Sequence, residues 1–547
     1  MHAASYISVR VAHTVLGGAV SVAWLVLPVM TINTREPVPT MRAGSAAEAA
    51  APGRHGTSPA DLVPPLVAVG TAGVLAGYAY VRRIRRARTR TTPGGSASSG
   101  PPTPTSEEYD RQARTALVAA DDAVRTSREE LACAEARFGA AAVEPFARAL
   151  RAAETELSAA FAIRRRYEEG LPKGTIARRQ ALVGVIGRCA EAGRRLDAEA
   201  AGFDRLRALE PDVEGAVRIA EGRLRKLAER AADADVVSAG LVERFGPTAA
   251  EPVRGHAELA RERLVFASAR LDSAHQTAGS DEAGRAVRQL RAAEGALAQA
   301  DILVTGVERL AREQGEAAAL VPSALTGAEA ALARARTGSD AAHTAEHPGR
   351  SQPAERLGAR LVHADTVLAA VRRELTGGPY DPLDTLRRIA QAVAPVAVQP
   401  VADEPGRAAG QPGVVGFAAF LAARSATAAT EDFVATHRAA VGAEARTLLA
   451  AAVRMLARGD TGPADELART ARESAERDVR TYGNPYVVVR PTGEAGSAGS
   501  HAGDMAGAVG VGGAVLGGVL LGEEPDGGPP ASYGGPRTRS RRRRPDQ

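Results

Sequence analysis

The chain has 547 residues, of which 45% are hydrophobic but only 3% aromatic, and its formal net charge is +5. So few rings leave little to anchor wide sheets or deep pockets, and so small a charge excludes a general nucleic-acid-binding character. Alanine, leucine, arginine and glutamate, all strong helix formers, dominate the remainder, so long, thin, alanine-faced helices are the expected product.

Residues 11–32 are an apolar stretch interrupted by His13 and carrying the only tryptophan, Trp24. They read as a first transmembrane helix or a signal-like segment. Residues 33–61, rich in Pro, Ala, Gly and Ser and without periodicity, are expected to form a disordered external loop. Residues 62–81 contain no charge, and as a helix they span about 30 Å, one hydrocarbon core. Arg82, Arg83, Arg85, Arg86, Arg88 and Arg90 follow at once, and the positive-inside rule places that end in the cytoplasm. These arginines lie where anionic head groups would meet them, at about 1 kcal/mol each, although a pure topology signal needs nothing more. Gly73 and Gly77 form a GxxxG stripe suited to helix dimerisation in the membrane. Residues 82–105 are then a basic juxtamembrane segment and a Gly/Ser/Pro linker.

From 106 to 482 the chain reads as a cytoplasmic body of helical hairpins. Ser106 is the expected N-cap, with Glu107 and Glu108 in the first turn. Ala113, Leu117, Val124, Leu131 and Ala134 recur at threes, fours and sevens, which gives a narrow, small-residue seam. Further helices are expected over 176–209, 212–232, 251–277, 281–314, 323–336, 353–375, 382–394, 415–455 and 463–480. Within them Arg137-Phe138-Gly139, followed by Glu144-Pro145, recurs as Arg244-Phe245-Gly246 followed by Glu251-Pro252, with Leu157 and Leu264 in the same frame. Each copy predicts a helix closed by a left-handed glycine and a new helix with an early proline. Gly215 falls inside a helix, where a side chain is expected to be tolerated. Gly279-Ser280-Asp281, the stretch from Gly377 to Pro382, and Gly459 to Pro463 mark further hairpin turns.

Residues 483–547 form a glycine-rich, low-complexity tail with a basic end at Arg537, Arg539 and Arg541 to Arg544. Its apolar part, 505–522, holds seven glycines and reads as a low-complexity, membrane-touching stretch in preference to a third span. An arginine-rich end of this kind would grip membrane or nucleic acid without sequence preference.

No catalytic constellation emerges. His343 and His347 are four apart but bracketed by Gly338, Pro348 and Gly349, which favours a loop. His256, His275, His363 and His437 stand singly and read as solvated helix-face residues, as do the carboxylate pairs Asp121-Asp122 and Glu168-Glu169. Cys133 and Cys189 have no partners at zinc spacing and suggest two small buried thiols in a reducing compartment. Phosphate-loop, nucleophile-elbow and zinc-protease motifs are missing from the sequence.

The stretches 77–95 (GYAYVRRIRRARTRTTPGG), 121–139 (DDAVRTSREELACAEARFG), 261–274 (RERLVFASARLDSA), 371–389 (VRRELTGGPYDPLDTLRRI), 482–486 (YGNPY) and 512–522 (GGAVLGGVLLG) resemble actinobacterial TPM-domain membrane proteins. The resemblance implies a transmembrane segment, a cytoplasmic helical or coiled-coil body and a glycine-rich tail. The family's TPM domain precedes the span, and residues 1–61 are too short to supply it, so its acidic metal-binding positions have no counterparts here. The expectation is an all-α, membrane-anchored, non-catalytic scaffold at the cytoplasmic face, with no cofactor or metal. Its partners would be the bilayer, anionic lipid, further copies of itself and unidentified proteins, but no specific nucleic acid. The alternative is a remnant of an envelope-associated, phosphatase-like TPM enzyme whose catalytic domain is absent.

Overall fold

A computed structural model describes residues 105–209, 211–278, 283–344, 351–397, 413–482 and 532–542. Every regular element among them is helical, so the all-α expectation holds. The segments 11–32, 33–61, 62–81 and most of 82–105, with Gly73, Gly77 and Arg82 to Arg90, lie outside the described residues. Among the described residues no helix is long and apolar enough to cross a membrane.

The first three helices, α1 (Ser106–Phe138), α2 (Ala140–Glu168) and α3 (Thr175–Arg207), pack as one bundle. Thr105, one residue before the expected cap, starts α1 by accepting a hydrogen bond from the Glu108 amide at 3.2 Å. The predicted seam of α1 is buried, from Ala113 and Leu117 through Val124 to Leu131 and Ala134. Opposite it stand Leu150, Leu157 and Phe161 of α2 and Leu182, Leu196 and Phe203 of α3.

A second core is built on α4 (Val213–Phe245), α5 (His256–Ala278) and α6 (Ala283–Thr344), with α7 (Ser351–Gly377) and α8 (Pro382–Ala397) on the later part of α6. The 62 residues of α6 replace two expected helices and run for roughly 93 Å at 1.5 Å per residue. Pro322 lies inside α6 without ending it. Buried Val321, Ala324 and Ala328 on either side keep one face packed, which offsets the backbone hydrogen bond that proline removes. In the opposite sense, the helix expected over 415–455 is two, α9 (Val414–Thr436) and α10 (Ala443–Arg458), and α11 (Thr461–Tyr482) follows. Val434, Val441, Leu448, Leu449, Ala471 and Ala475 form their core.

The repeated turn is reproduced in geometry. Gly139 has φ 81° and ψ 162°, and Gly246 has φ 86° and ψ 167°. This is not the left-handed helical conformation expected from the sequence but an extended, positive-φ region that is open almost only to glycine. In both copies the preceding arginine lies over the preceding phenylalanine ring, at 4.9 Å for Arg137 on Phe138 and 4.8 Å for Arg244 on Phe245. After the turn the copies diverge. α2 begins at once, whereas a one-turn helix (Pro247–Ala250) and a 3-10 turn (Glu251–Val253) precede α5.

Gly215 departs from its expectation. It is the third residue of α4, its amide donates to the capping Asp212 carboxylate at 3.1 Å, and a Cβ there would lie 2.5 Å from Asp212 Oδ1. Any side chain at Gly215 therefore displaces the cap. Gly240, on the exposed face of α4, has open space around it. Gly246→Ala should lower stability by about 1–3 kcal/mol, because its backbone region is strained for other residues. Gly240→Ala should raise it by about 0.5–1 kcal/mol through helix propensity. Urea unfolding of the two variants checks this, and equal midpoints would show that the repeated turn imposes no backbone demand.

Candidate functional site: a groove that holds the C-terminal segment

The low-complexity tail is not featureless throughout. Residues 532–542 lie against the α1–α3 bundle, and they end in the short helix α12 (Pro536–Arg542). Tyr533 is fully buried and belongs to the bundle's core. Its ring stacks on Phe203 of α3 at 4.4 Å between centroids and meets Phe146 of α2 edge-on at 6.1 Å. The two phenylalanines also meet edge to face, at 5.3 Å. Burial without a polar partner would be costly for a phenol, and here its hydroxyl donates to the Phe146 carbonyl oxygen at 3.0 Å. Burial also pushes the Tyr533 pKa up, so the hydroxyl remains a donor.

The backbone that follows is read by two side chains. The Gly534 amide donates to Ser127 Oγ of α1 at 3.2 Å. Asp197 of α3 accepts from the Gly535 amide at 2.9 Å, the Arg537 amide at 3.3 Å, and the Thr538 amide and hydroxyl at 3.0 and 2.7 Å. One carboxylate thus starts α12 from outside, as a capping residue does from within. Helix and segment approach closely where both carry glycine. A Cβ on Gly193 of α3 would lie 2.6 Å from Pro536 Cδ, and a Cβ on Gly535 would overlap the Gly193 carbonyl.

Beyond the groove, Arg539 donates to the Asp122 carbonyl oxygen at 3.0 Å. The Asp122 side chain belongs to a buried joint. Arg446 of α10 reaches Asp121 at 2.6 Å and Asp122 at 2.7 Å, and it also donates to the carbonyls of Val441 and Arg438. Burial opposes charge on Arg446, but Asp122 and Asp121 outweigh it and raise its pKa. Burial likewise opposes charge on Asp121, where Arg125 and Arg446 prevail and lower the pKa. The two carboxylates expected on a solvated face are therefore part of a buried link between α1 and α10.

A second buried joint sets Arg207 at the end of α3 against Glu294 of α6, with Glu130 of α1 at 3.8 Å. Cys133 stands beside it, and burial, with Glu294 next in effect, pushes its thiol up to about 12. Cys189 is buried in the α1–α3 core and is also raised to about 12. Neither thiol is activated as a nucleophile.

The histidines divide. His275 and His363 are exposed as expected, whereas His256 is buried and His437 half-buried. Burial first, then Arg472, pushes His256 down to about 4, so it is neutral at ordinary pH. Asp432 beside it pairs with Arg309 at 2.6 Å. Among the described residues no three His, Cys, Asp or Glu side chains are placed to hold a metal. His347 lies outside the described residues.

Sequence reasoning missed Tyr533, Asp197, Ser127 and Gly193. The available signal was Ser-Tyr-Gly-Gly-Pro-Arg, an aromatic residue and a helix-starting proline just ahead of the arginine-rich end. Arg537 and Arg539, expected on an untethered basic end, are tied to the body by it.

The described part is thus an all-α assembly of packed helical bundles, with the chain's own residues 532–542 seated against α1–α3. The chain is similar to two proteins of Mycobacterium tuberculosis, UPF0603 protein Rv2345 of strain ATCC 25618 / H37Rv and UPF0603 protein MT2410 of strain CDC 1551 / Oshkosh. It is 28% identical to each over 453 residues. The match covers 78% of this chain and 64% of each relative. No protein-family model and no solved structure matches the chain.

The stability of the groove separates its two aromatic partners. Phe203→Ala opens a cavity inside the bundle and should cost about 3–5 kcal/mol. Tyr533→Ala should cost clearly less, because the segment can leave without unfolding the helices, so the loss is limited to its docking free energy. Denaturant unfolding of both variants measures the difference, and equal losses would make the segment an inseparable part of the core.

Proposed function

We propose that the chain is a membrane-anchored, non-catalytic helical scaffold whose body works at the cytoplasmic face. The observation that carries this reading is the groove. Its polar and aromatic groups are arranged to hold a peptide through amide donors, a tyrosine ring and a glycine contact, which is the chemistry of recognition. The anchor is read from the uncharged run 62–81 and the arginines Arg82 to Arg90, which also fit anionic lipid. Gly73 and Gly77 would allow copies to associate in the bilayer. The resemblance to the helical region of TPM-domain membrane proteins implies such a body, and the likeness to the UPF0603 proteins supplies no activity for it.

Topology tests the reading. In a chain with Cys133 and Cys189 replaced by serine, single cysteines are introduced within 33–61 and at the exposed Ala119 and Ala269. An impermeant thiol reagent on intact cells should label only the 33–61 positions. Labelling at Ala119→Cys or Ala269→Cys would overturn a cytoplasmic body.

A further inference from the structure

We propose that the α1–α3 groove is a peptide-recognition site and that the chain's own segment 532–542 is its ligand, docked within the same molecule as a releasable latch. This rests on the reading of the body as a binding module and assigns that site its occupant.

Three observations carry it. The contacts have the form of receptor and ligand: one aromatic anchor in a slot between Phe146 and Phe203, then main-chain amides read by Ser127 and Asp197. The glycine pair sets the register, since a side chain on either Gly193 or Gly535 would force the two backbones apart. The pattern recognised is therefore Tyr-Gly-Gly-Pro followed by a residue whose side chain is free, as exposed Arg537 is, and then by threonine. Finally, 49 residues join Tyr482 to Ser532, enough to span up to about 160 Å when extended, so the groove is within reach of its own tail. Tethering of this kind sets an effective concentration of roughly millimolar order, far above that of a second copy in dilute solution.

The latch also explains why the groove borders the Arg446 joint. Through Arg539 and the Asp122 carbonyl, the docked segment touches the residue that links α1 to α10. Its release would uncover the Phe146 and Phe203 faces and the Asp197 carboxylate, and would free the basic end of the chain.

Amide hydrogen exchange on the full chain tests this. In the unsubstituted chain the amides of Gly534, Gly535, Arg537 and Thr538 should exchange at least about tenfold more slowly than in the free 532–542 peptide. Tyr533→Ala and Gly535→Val, both on the ligand side, should abolish that protection while the exchange of α4 to α6 stays unchanged. The synthetic 532–542 peptide at millimolar concentration should then slow exchange around Gly193 in the Tyr533→Ala chain, and the peptide carrying Gly535→Val should not. Tail amides that exchange as fast as the free peptide, or a vacated groove that ignores the peptide, would overturn the proposal. Protection that fades on dilution would assign the groove to the tail of a second copy and overturn docking within one molecule. The outcome is independent of the labelling experiment, so the latch and the membrane topology can fail separately.

Discussion

The fold depends on a shortage of side-chain volume. Seams made mostly of alanine let helix backbones approach closely, but each buried methyl contributes only about 0.8 kcal/mol, against roughly 1.5–3 kcal/mol for a leucine or phenylalanine. Each bundle can close on such a seam where a few leucines join it, as Leu117, Leu157 and Leu196 do in α1–α3. Between the bundles the structure uses arginines that are buried, Arg446 on Asp121 and Asp122 and Arg207 on Glu294, or half-buried, Arg387 of α8 on Asp465 of α11 at 2.9 Å. A planar guanidinium with five donors satisfies several acceptors at once, which allows it to be buried where a lone charge would not be.

The same shortage gives the C-terminal segment its place. The α1–α3 bundle holds two phenylalanines in edge-to-face contact, and the flat side of Phe203 is covered by the ring of Tyr533. A helix would have supplied that ring permanently. On the latch proposal, a segment attached through 49 residues supplies it conditionally, so the bundle would gain a surface that can be open or filled. Asp197 contributes direction as well as affinity, because its carboxylate takes several amide donors of one helical turn and so fixes where α12 begins.

What the sequence reveals follows from how local each signal is. The helical periodicity of α1, the glycine turns at Gly139, Gly246 and Gly459 and the cap at Asp381 depend on neighbours a few residues away, and they are legible. Asp381, for instance, accepts from the Asp384 amide at 3.1 Å, as its place before a proline-started helix suggests. Boundaries that depend on tertiary packing are not legible. Pro322 should end a helix by local rules, yet the second core holds α6 straight through it, and the alanine-rich stretch near Thr436 breaks with no proline at all. Asp121 and Asp122 read as solvated because their partner, Arg446, lies more than 300 residues away. Tyr533 was hidden for the same reason, since its slot is built by α2 and α3.

If buried arginines hold the bundles together, Arg446 should matter far more than an arginine paired at the surface. Denaturant unfolding of Arg446→Met, beside Arg372→Met in the exposed Arg372–Glu329 pair, measures this directly. The first should lose about 3–5 kcal/mol, because buried Asp121 and half-buried Asp122 lose the guanidinium they share, and Arg125 remains only on Asp121. The second should lose no more than about 1 kcal/mol. A loss at Arg446 as small as that at Arg372 would contradict the account and leave the joints to the alanine seams alone.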